Sequence, residues 1–211
     1  WNTGGQVNVD SPQLNSISLF SGVGMLDVGL SAGLEHLGIR HRTIAYCERE
    51  AYAASQLVAL MEAECLDAAP VWTDVTTFPA SDFYGLVDIV HGGFPCQPHS
   101  VAGAKRGMQD ERWLWEDIAR VIRDSGARIV FLENVPGLVT TGGLAACLAG
   151  LSEMGFDAEW GCLSAAAVGA SHKRERIFIL AVDPRRGRGI SHGAQRSGRA
   201  QFSVDAGRST L

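Results

Sequence analysis

The residues best suited to do chemistry stand together in His91-Gly92-Gly93-Phe94-Pro95-Cys96-Gln97-Pro98-His99-Ser100. Most lone cysteines are small buried hydrophobes. A cysteine held between two prolines and preceded by two glycines instead belongs on a rigid, exposed loop. Such a thiol becomes a nucleophile where a positive environment or a helix end lowers its pKa from about 8.5. Glu133-Asn134-Val135-Pro136-Gly137 follows the apolar run Ile129-Val130-Phe131-Leu132, so its carboxylate should emerge into the same crevice as Cys96. A partly buried Glu tends toward a raised pKa and can donate a proton. Lys173-Arg174-Glu175-Arg176 leads into Ile177-Phe178-Ile179-Leu180, and strand alternation puts Arg174 and Arg176 on one face. Without the Cys and Glu, that pair would read as a solvated basic strand edge.

A second set suits a nucleoside. Phe20-Ser21-Gly22-Val23-Gly24 opens directly into a helical pattern, and glycines there let backbone amides approach a ligand at a helix N-terminus. Glu48 follows Gly22 by 26 residues, where an acidic group commonly accepts hydrogen bonds from ribose hydroxyls. Asp74 could accept one from an adenine amino group. Taken singly, a tight turn and a surface Glu explain the first two equally well. In order along one edge, the three suggest an adenosine ligand. A dinucleotide and S-adenosylmethionine both fit.

The elements that must position these groups alternate. Apolar β-type runs span 16–20, 43–47, 71–73, 86–91, 128–133, 156–163 and 176–182, with amphipathic helical stretches over 25–37, 51–65, 112–124 and 143–154. The first helix carries Leu26, Leu30, Leu34 and Leu37 on one face. Near-continuous apolar strands alternating with helices imply an α/β fold with a mostly parallel, doubly wound sheet. Ligands in such sheets lie beyond the carboxyl ends of the strands, which is where the chemistry-bearing residues fall. Residues 1–15 read as a loose arm and 16–183 as the folded, catalytic and cofactor-binding unit. Residues 184–211 are Arg/Gly-rich without periodicity and read as disordered.

A chain of 211 residues, 46% hydrophobic and 19% charged, suits one domain with an ordinary core and excludes a disordered polymer. Residues 184–211 hold six arginines against Asp205, whereas 1–183 carry 12 basic and 22 acidic side chains. That acidic body argues against a broad surface binding nucleic acid by charge alone, though not against a narrow basic cleft. Five widely spaced cysteines without a C-x-x-C pair disfavour a disulfide scaffold or structural zinc site and favour a reducing compartment. No apolar run reaches transmembrane length and no secretory signal pattern opens the chain, so a cytoplasmic location is expected, with no membrane partner.

Together these residues resemble the cytosine-5 DNA methyltransferases of bacteria and bacteriophages. Phe20-Ser21-Gly22-Val23-Gly24 looks like the family's S-adenosylmethionine loop and Gly93-Phe94-Pro95-Cys96-Gln97 its nucleophile motif. Glu133-Asn134-Val135 looks like its proton-donor motif, and Arg174-Glu175-Arg176 its arginine motif. The resemblance covers about 16–182 and implies a Rossmann-like S-adenosylmethionine-dependent methyltransferase fold. It also implies methyl transfer to C5 of a cytosine flipped out of double-stranded DNA. Cys96 would attack C6, making C5 enamine-like; Glu133 would hold N3 and the exocyclic amine, Arg176 would contact O2, and Arg174 would support the loop. For the cofactor, Phe20, Ser21, Gly22 and Gly24 would form the turn, Glu48 would meet the ribose, Arg49 would pack on the adenine, and Asp74 with Val75 would bind it. Pro95 and Leu114 would line the pocket. Gln97, Ser100, Asn134 and Val135 would face the substrate.

This sequence departs from the family at His99, where an aromatic residue is common, at His172, where Gln is common, and at Met25, which replaces a frequent second glycine. Neither the family's target-recognition region nor its final Gly-Asn-rich motif is evident. The expectation is therefore a catalytic domain, truncated or complemented by a second subunit carrying the recognition region. An inactive methyltransferase-like module is the competing reading; intact Cys96, Glu133 and Arg176 weigh against it. A nicotinamide oxidoreductase would leave Cys96 and the arginines without a role. A transfer-RNA cytosine methyltransferase shares much of the catalytic set, but no additional feature points to it.

Overall fold

Parallel strands cannot be joined by tight hairpins; each pair needs a long crossover, most often a helix. The chain supplies these in order. The computed structural model describes residues 11–95 and 113–186. Within them lie β1 (Gln13–Leu19), α1 (Met25–His36), β2 (Arg40–Cys47), α2 (Ala51–Glu62), β3 (Val71–Trp72), β4 (Ile89–Gly93) and α3 (Trp115–Ser125). They are followed by β5 (Ile129–Asn134), α4 (Gly137–Thr140), α5 (Gly143–Glu153), β6 (Asp157–Ser164) and β7 (Glu175–Val182). The sheet order is β3-β2-β1-β4-β5-β7-β6. β1 to β5 are parallel, and β7 runs antiparallel to both β5 and β6. The expected α/β, mostly parallel architecture is therefore the one observed. The reversal of β7 matters for the site: its first residues, not its last, reach the carboxyl edge, with Asn134 opposite Ile177.

One face of the sheet is packed as an α/β core should be. α3 buries Trp115, Ile118, Ala119, Val121 and Ile122, and α5 buries Leu144, Cys147 and Leu151. These join Ile17, Leu19, Val90, Val130 and Leu132 from the central strands. α3 stops at Gly126, whose φ of 68° suits a glycine in the left-handed cap position.

The other face is unusual. The leucine stripe of α1 does lie on one side, but it lines an apolar groove of about 690 Å³ with Ile89, Ile129, Phe131, Phe178 and Leu180. Leu37 is 70% and Leu180 46% exposed. The side of α1 that meets the sheet is polar: Asp27 is its only buried residue. Its carboxylate accepts from Ser18 Oγ at 3.0 Å, Thr43 Oγ1 at 3.3 Å and His91 Nε2 at 3.0 Å. Ser16 Oγ donates to Thr43 Oγ1 at 3.3 Å, and Ser16 is also 2.8 Å from His41 Nε2. His41 Nδ1 lies 2.6 Å from Ser31 Oγ.

Burial, and secondly the nearby His91, pushes His41 down to about 4 from 6.5. The folded chain thus keeps this ring neutral where the unfolded chain would protonate it. Its contribution to stability is complete above about 6.5 and is lost as pH falls toward 4. Thermal unfolding followed by circular dichroism should show the melting temperature falling across that window, and His41→Gln should flatten that part of the profile.

Candidate functional site

The first half of the site is built from the turns that leave β1, β2 and β3. β1 ends in a turn that needs left-handed backbone at Phe20 (φ 53°), Gly22 (φ 56°) and Gly24 (φ 77°). Ser21 is buried and closes the turn, its hydroxyl donating to the carbonyls of Ser18 at 3.1 Å and Cys47 at 3.4 Å. That fixes the Gly22 amide toward Glu48, whose Oε2 it meets at 2.7 Å, while the Glu50 amide meets Oε1 at 2.7 Å. Glu48 is only 9% exposed; it fastens the turn after β1 to the turn after β2. Glu50 then caps α2, accepting from the Tyr52 and Ala53 amides.

Asp74 opens the 3-10 turn Val75–Thr77. Hydrogen bonds from the Thr76 amide, then from its hydroxyl, hold Asp74 below the usual carboxylate range. Phe20, Glu48, Arg49, Asp74, Val75, Pro95 and Leu114 line one cleft of about 1040 Å³, together with Gly93 and Thr76. That is the scale of a small-molecule site, roughly 300–1,000 Å³. An acidic group at the β2 end, a capped aspartate at the β3 end and an aromatic at the glycine turn fit an adenosyl group. Ser21, Gly22 and Gly24 shape the turn without lining the cleft.

One residue of this side escaped the sequence reading. Arg120 of α3 donates to the carbonyls of Val75 at 2.6 Å, Thr76 at 3.3 Å and Phe78 at 3.0 Å. It clamps the turn that presents Asp74. A lone arginine in an amphipathic helix carries no signal for this, because the carbonyls it holds lie about 45 positions earlier in the chain. Hydrogen bonds to charged donors contribute about 1.5–3 kcal/mol. Arg120→Ala should therefore destabilise the fold by about 1.5–3 kcal/mol in urea unfolding and loosen the turn that carries Asp74.

The second half of the site lies at the ends of β4, β5 and β7. Glu133 and Arg176 meet across the β5–β7 pairing, Oε1 to Nε at 2.6 Å, each about a quarter exposed. Arg176 Nη1 also donates to the Glu175 carbonyl at 2.8 Å. Glu133 thus stands as half of an ion pair and not as an isolated carboxyl in an apolar pocket. Its Oε2 lies 2.9 Å from where a Cβ on Gly93 would sit, so the carboxylate faces the strand that leads to Cys96. Asn134 is buried, its Nδ2 donating to the Phe94 carbonyl at 3.2 Å and its Oδ1 accepting from the Val135 amide at 2.8 Å. It straps β5 to the residues before Cys96. Arg174, by contrast, is exposed. Cys96, Gln97, Ser100, Arg112 and the Arg-rich tail beyond Arg186 lie outside the described residues. Among the described thiols, burial pushes Cys47 and Cys147 up to about 12 and raises Cys162. Those three are poor thiolates near neutrality.

A mostly parallel sheet of this order, with a cleft of about 1040 Å³ lined by residues at its carboxyl edge, is a doubly wound α/β architecture. The C-5 cytosine-specific DNA methylase family matches residues 14–199, and the chain belongs to that family. It is 32% identical over 168 residues to the Type II methyltransferase M.CviJI of Paramecium bursaria Chlorella virus IL3A, covering 79% of this chain and 42% of that protein. It is 28% identical over 174 residues to the Type II methyltransferase M.BanI of Aneurinibacillus aneurinilyticus, covering 81% and 39%. The chain therefore spans about two-fifths of the length of these relatives. In fold it is similar to the Entamoeba histolytica methyltransferase EhMeth (TM-score 0.66, 17% identity, 82% of this chain and 53% of that one). It is likewise similar to a Spodoptera frugiperda DNMT2 variant (TM-score 0.64, 16% identity, 86% and 54%). No helix among the described residues is long and apolar enough to cross a membrane.

Proposed function

We propose that this chain is the catalytic region of a DNA (cytosine-5-)-methyltransferase that uses S-adenosylmethionine and a covalent Cys96 adduct on double-stranded DNA. The observation that carries the reading is the Glu133–Arg176 pair, set on the edge beside Gly93 with Cys96 three residues further along the chain. C5 of cytosine is a poor nucleophile, and addition of the Cys96 thiolate to C6 turns C5 into an enamine-like carbon. Glu133 binds the N3 and amino edge as negative charge develops on the ring, and Arg176 binds O2 while holding the Glu133 carboxylate in place. When bound, the cofactor would supply an electrophilic sulfonium methyl for C5, its carbon–sulfur bond breaking so that the electron pair stays with S-adenosylhomocysteine. Loss of the C5 proton to a water molecule would then expel the Cys96 thiolate and restore the aromatic ring. Glu48 binds the ribose, Asp74 and Val75 the adenine, and Arg49, Pro95 and Leu114 enclose it.

Base edges are read by a further polypeptide region, in a longer chain or a complementing subunit. The relatives' extra length supports this.

The test is twofold. Calorimetry should detect S-adenosylmethionine binding by the chain. A duplex carrying 5-fluorocytosine, presented with a recognition region fused or co-expressed, should form a denaturation-resistant adduct that Cys96→Ser abolishes while cofactor binding survives. Absence of cofactor binding even with that region present would overturn the reading. Binding without an adduct would favour a non-catalytic module.

A further inference from the structure

A doubly wound sheet is expected to be apolar on both faces, yet the central strands beneath α1 carry Ser16, Ser18, Thr43 and His91, each at most 1% exposed. They converge on one group. Asp27, three residues after Gly24, accepts from β1 through Ser18, from β2 through Thr43 and from β4 through His91. One carboxylate in the first turn of α1 therefore holds three adjacent strands just below the edge where the site is built.

His91 is the informative member. It immediately precedes Gly92-Gly93, the end of β4, and it is fully buried. Its Nε2 faces Asp27, while Nδ1 has no hydrogen-bond partner among the described residues. The His41 ring lies edge-on to it, centroid to centroid 6.1 Å. A buried polar atom left without a partner is a cost that a leucine of similar volume would avoid. What leucine could not supply is a directional bond between α1 and β4. α1 begins at the glycine turn of the cofactor cleft, and β4 leads into Pro95, which lines that cleft, and then Cys96.

We propose that Asp27 and His91 are positioning residues that lock the turn of residues 20–24 to the end of β4, the strand that leads to Cys96, so that these two walls of the cleft are set as one unit. This inference rests on the cofactor reading given above. Loss of the His91 bond leaves α1 attached to β1 through Ser18 and to β2 through Thr43 and removes its side-chain tie to β4, which keeps its ladders to β1 and β5.

The decisive variants separate direction from packing. His91→Leu fills the space without the bond; His91→Gln keeps an N–H donor at the position of Nε2. Calorimetry with S-adenosylhomocysteine, on chains shown by circular dichroism to be folded at the assay temperature, should give binding at least tenfold weaker for His91→Leu and within threefold of wild type for His91→Gln. Amide hydrogen exchange should accelerate together in 20–24 and 92–94 for His91→Leu, with little change in α3 and α5. If His91→Leu does not fold, His91→Met, which also removes the ring donor, is read the same way. Wild-type affinity together with unchanged exchange in those two segments would overturn the proposal. Should the wild-type chain bind no S-adenosylhomocysteine, the cofactor reading fails separately, and the paired exchange response still decides the coupling of turn and strand.

Discussion

Glu133→Gln, or Arg176→Leu, is expected to lower methyl transfer to DNA at least a hundredfold, and the double variant to lower it no further than the worse single change. Groups that position or protonate a reacting base typically contribute 10²–10⁴ in rate, and residues acting as one unit are not additive. The 2.6 Å contact makes these two such a unit: without Arg176 the Glu133 carboxylate loses its fixed direction, and without Glu133 the guanidinium loses its anchor. Stability should respond far less. With each partner about a quarter exposed, the pair resembles a surface ion pair, worth about 0–1 kcal/mol. In a chain of this length that corresponds to a melting-temperature change of no more than about 4 °C. Steady-state methylation in the presence of a recognition region, beside a thermal melt, separates the two effects. A rate loss of only a few-fold, or one that tracks loss of fold, would sink the assignment.

The strand–helix alternation was legible because each run of β-branched and apolar residues is bounded by glycine, proline or a charged turn. Where the boundaries moved, tertiary pairing overrode local pattern. β1 begins at Gln13, before the apolar run at Ser16, because Gln13-Leu14-Asn15 pairs with the equally polar start of β2 at Arg40-His41-Arg42. Polar residues at the amino ends of paired strands give no hydrophobic period. The leucine stripe of α1 misleads in a different way. Periodicity shows that a face is apolar, not what lies against it, and here the sheet meets Asp27 while the leucines border an open groove.

The site divides along similar lines. Cys96, Glu133 and Arg176 could be named because their residue types are rare at strand ends and fall in the order of a known family. The antiparallel return of β7, which brings Arg176 to Glu133, is a matter of topology that the spacing of 43 residues between them does not encode. Asn134 shows the limit of motif reading. Its place beside Glu133 suggests a substrate-side residue and gives no sign that both ends of its amide bond backbone, at Phe94 and Val135.

The two glycines before Phe94 look alike in sequence but should fail differently when given a side chain. Gly92 is paired with Leu19 in the parallel β1–β4 ladder. A Cβ there would overlap the Leu19 carbonyl oxygen and lie 3.1 Å from the Leu19 carbonyl carbon. That backbone cannot retreat, because Leu19 is also paired with Cys47 on its other side. Gly92→Ala should therefore destabilise the fold by about 3 kcal/mol or more, at the upper end of overpacking effects, lowering the melting temperature by roughly 6–12 °C at this chain length. A Cβ on Gly93 would instead meet the far end of the Glu133 side chain at 2.9 Å, which can swing away. Gly93→Ala should leave the melting temperature within a few degrees of wild type while displacing Glu133 from Arg176 and lowering activity. Gly29 and Gly33 supply the opposite control. Both lie in α1 with no atom within 4 Å of an added Cβ, so alanine at either should stabilise by about 0.5–1 kcal/mol through helix propensity. Urea unfolding of the four variants checks all of this together. If Gly92→Ala lay within 1 kcal/mol of wild type, β1 and β4 would have to be further apart at Leu19 than the sheet places them, and the glycine pair would owe its presence to the site and not to the ladder.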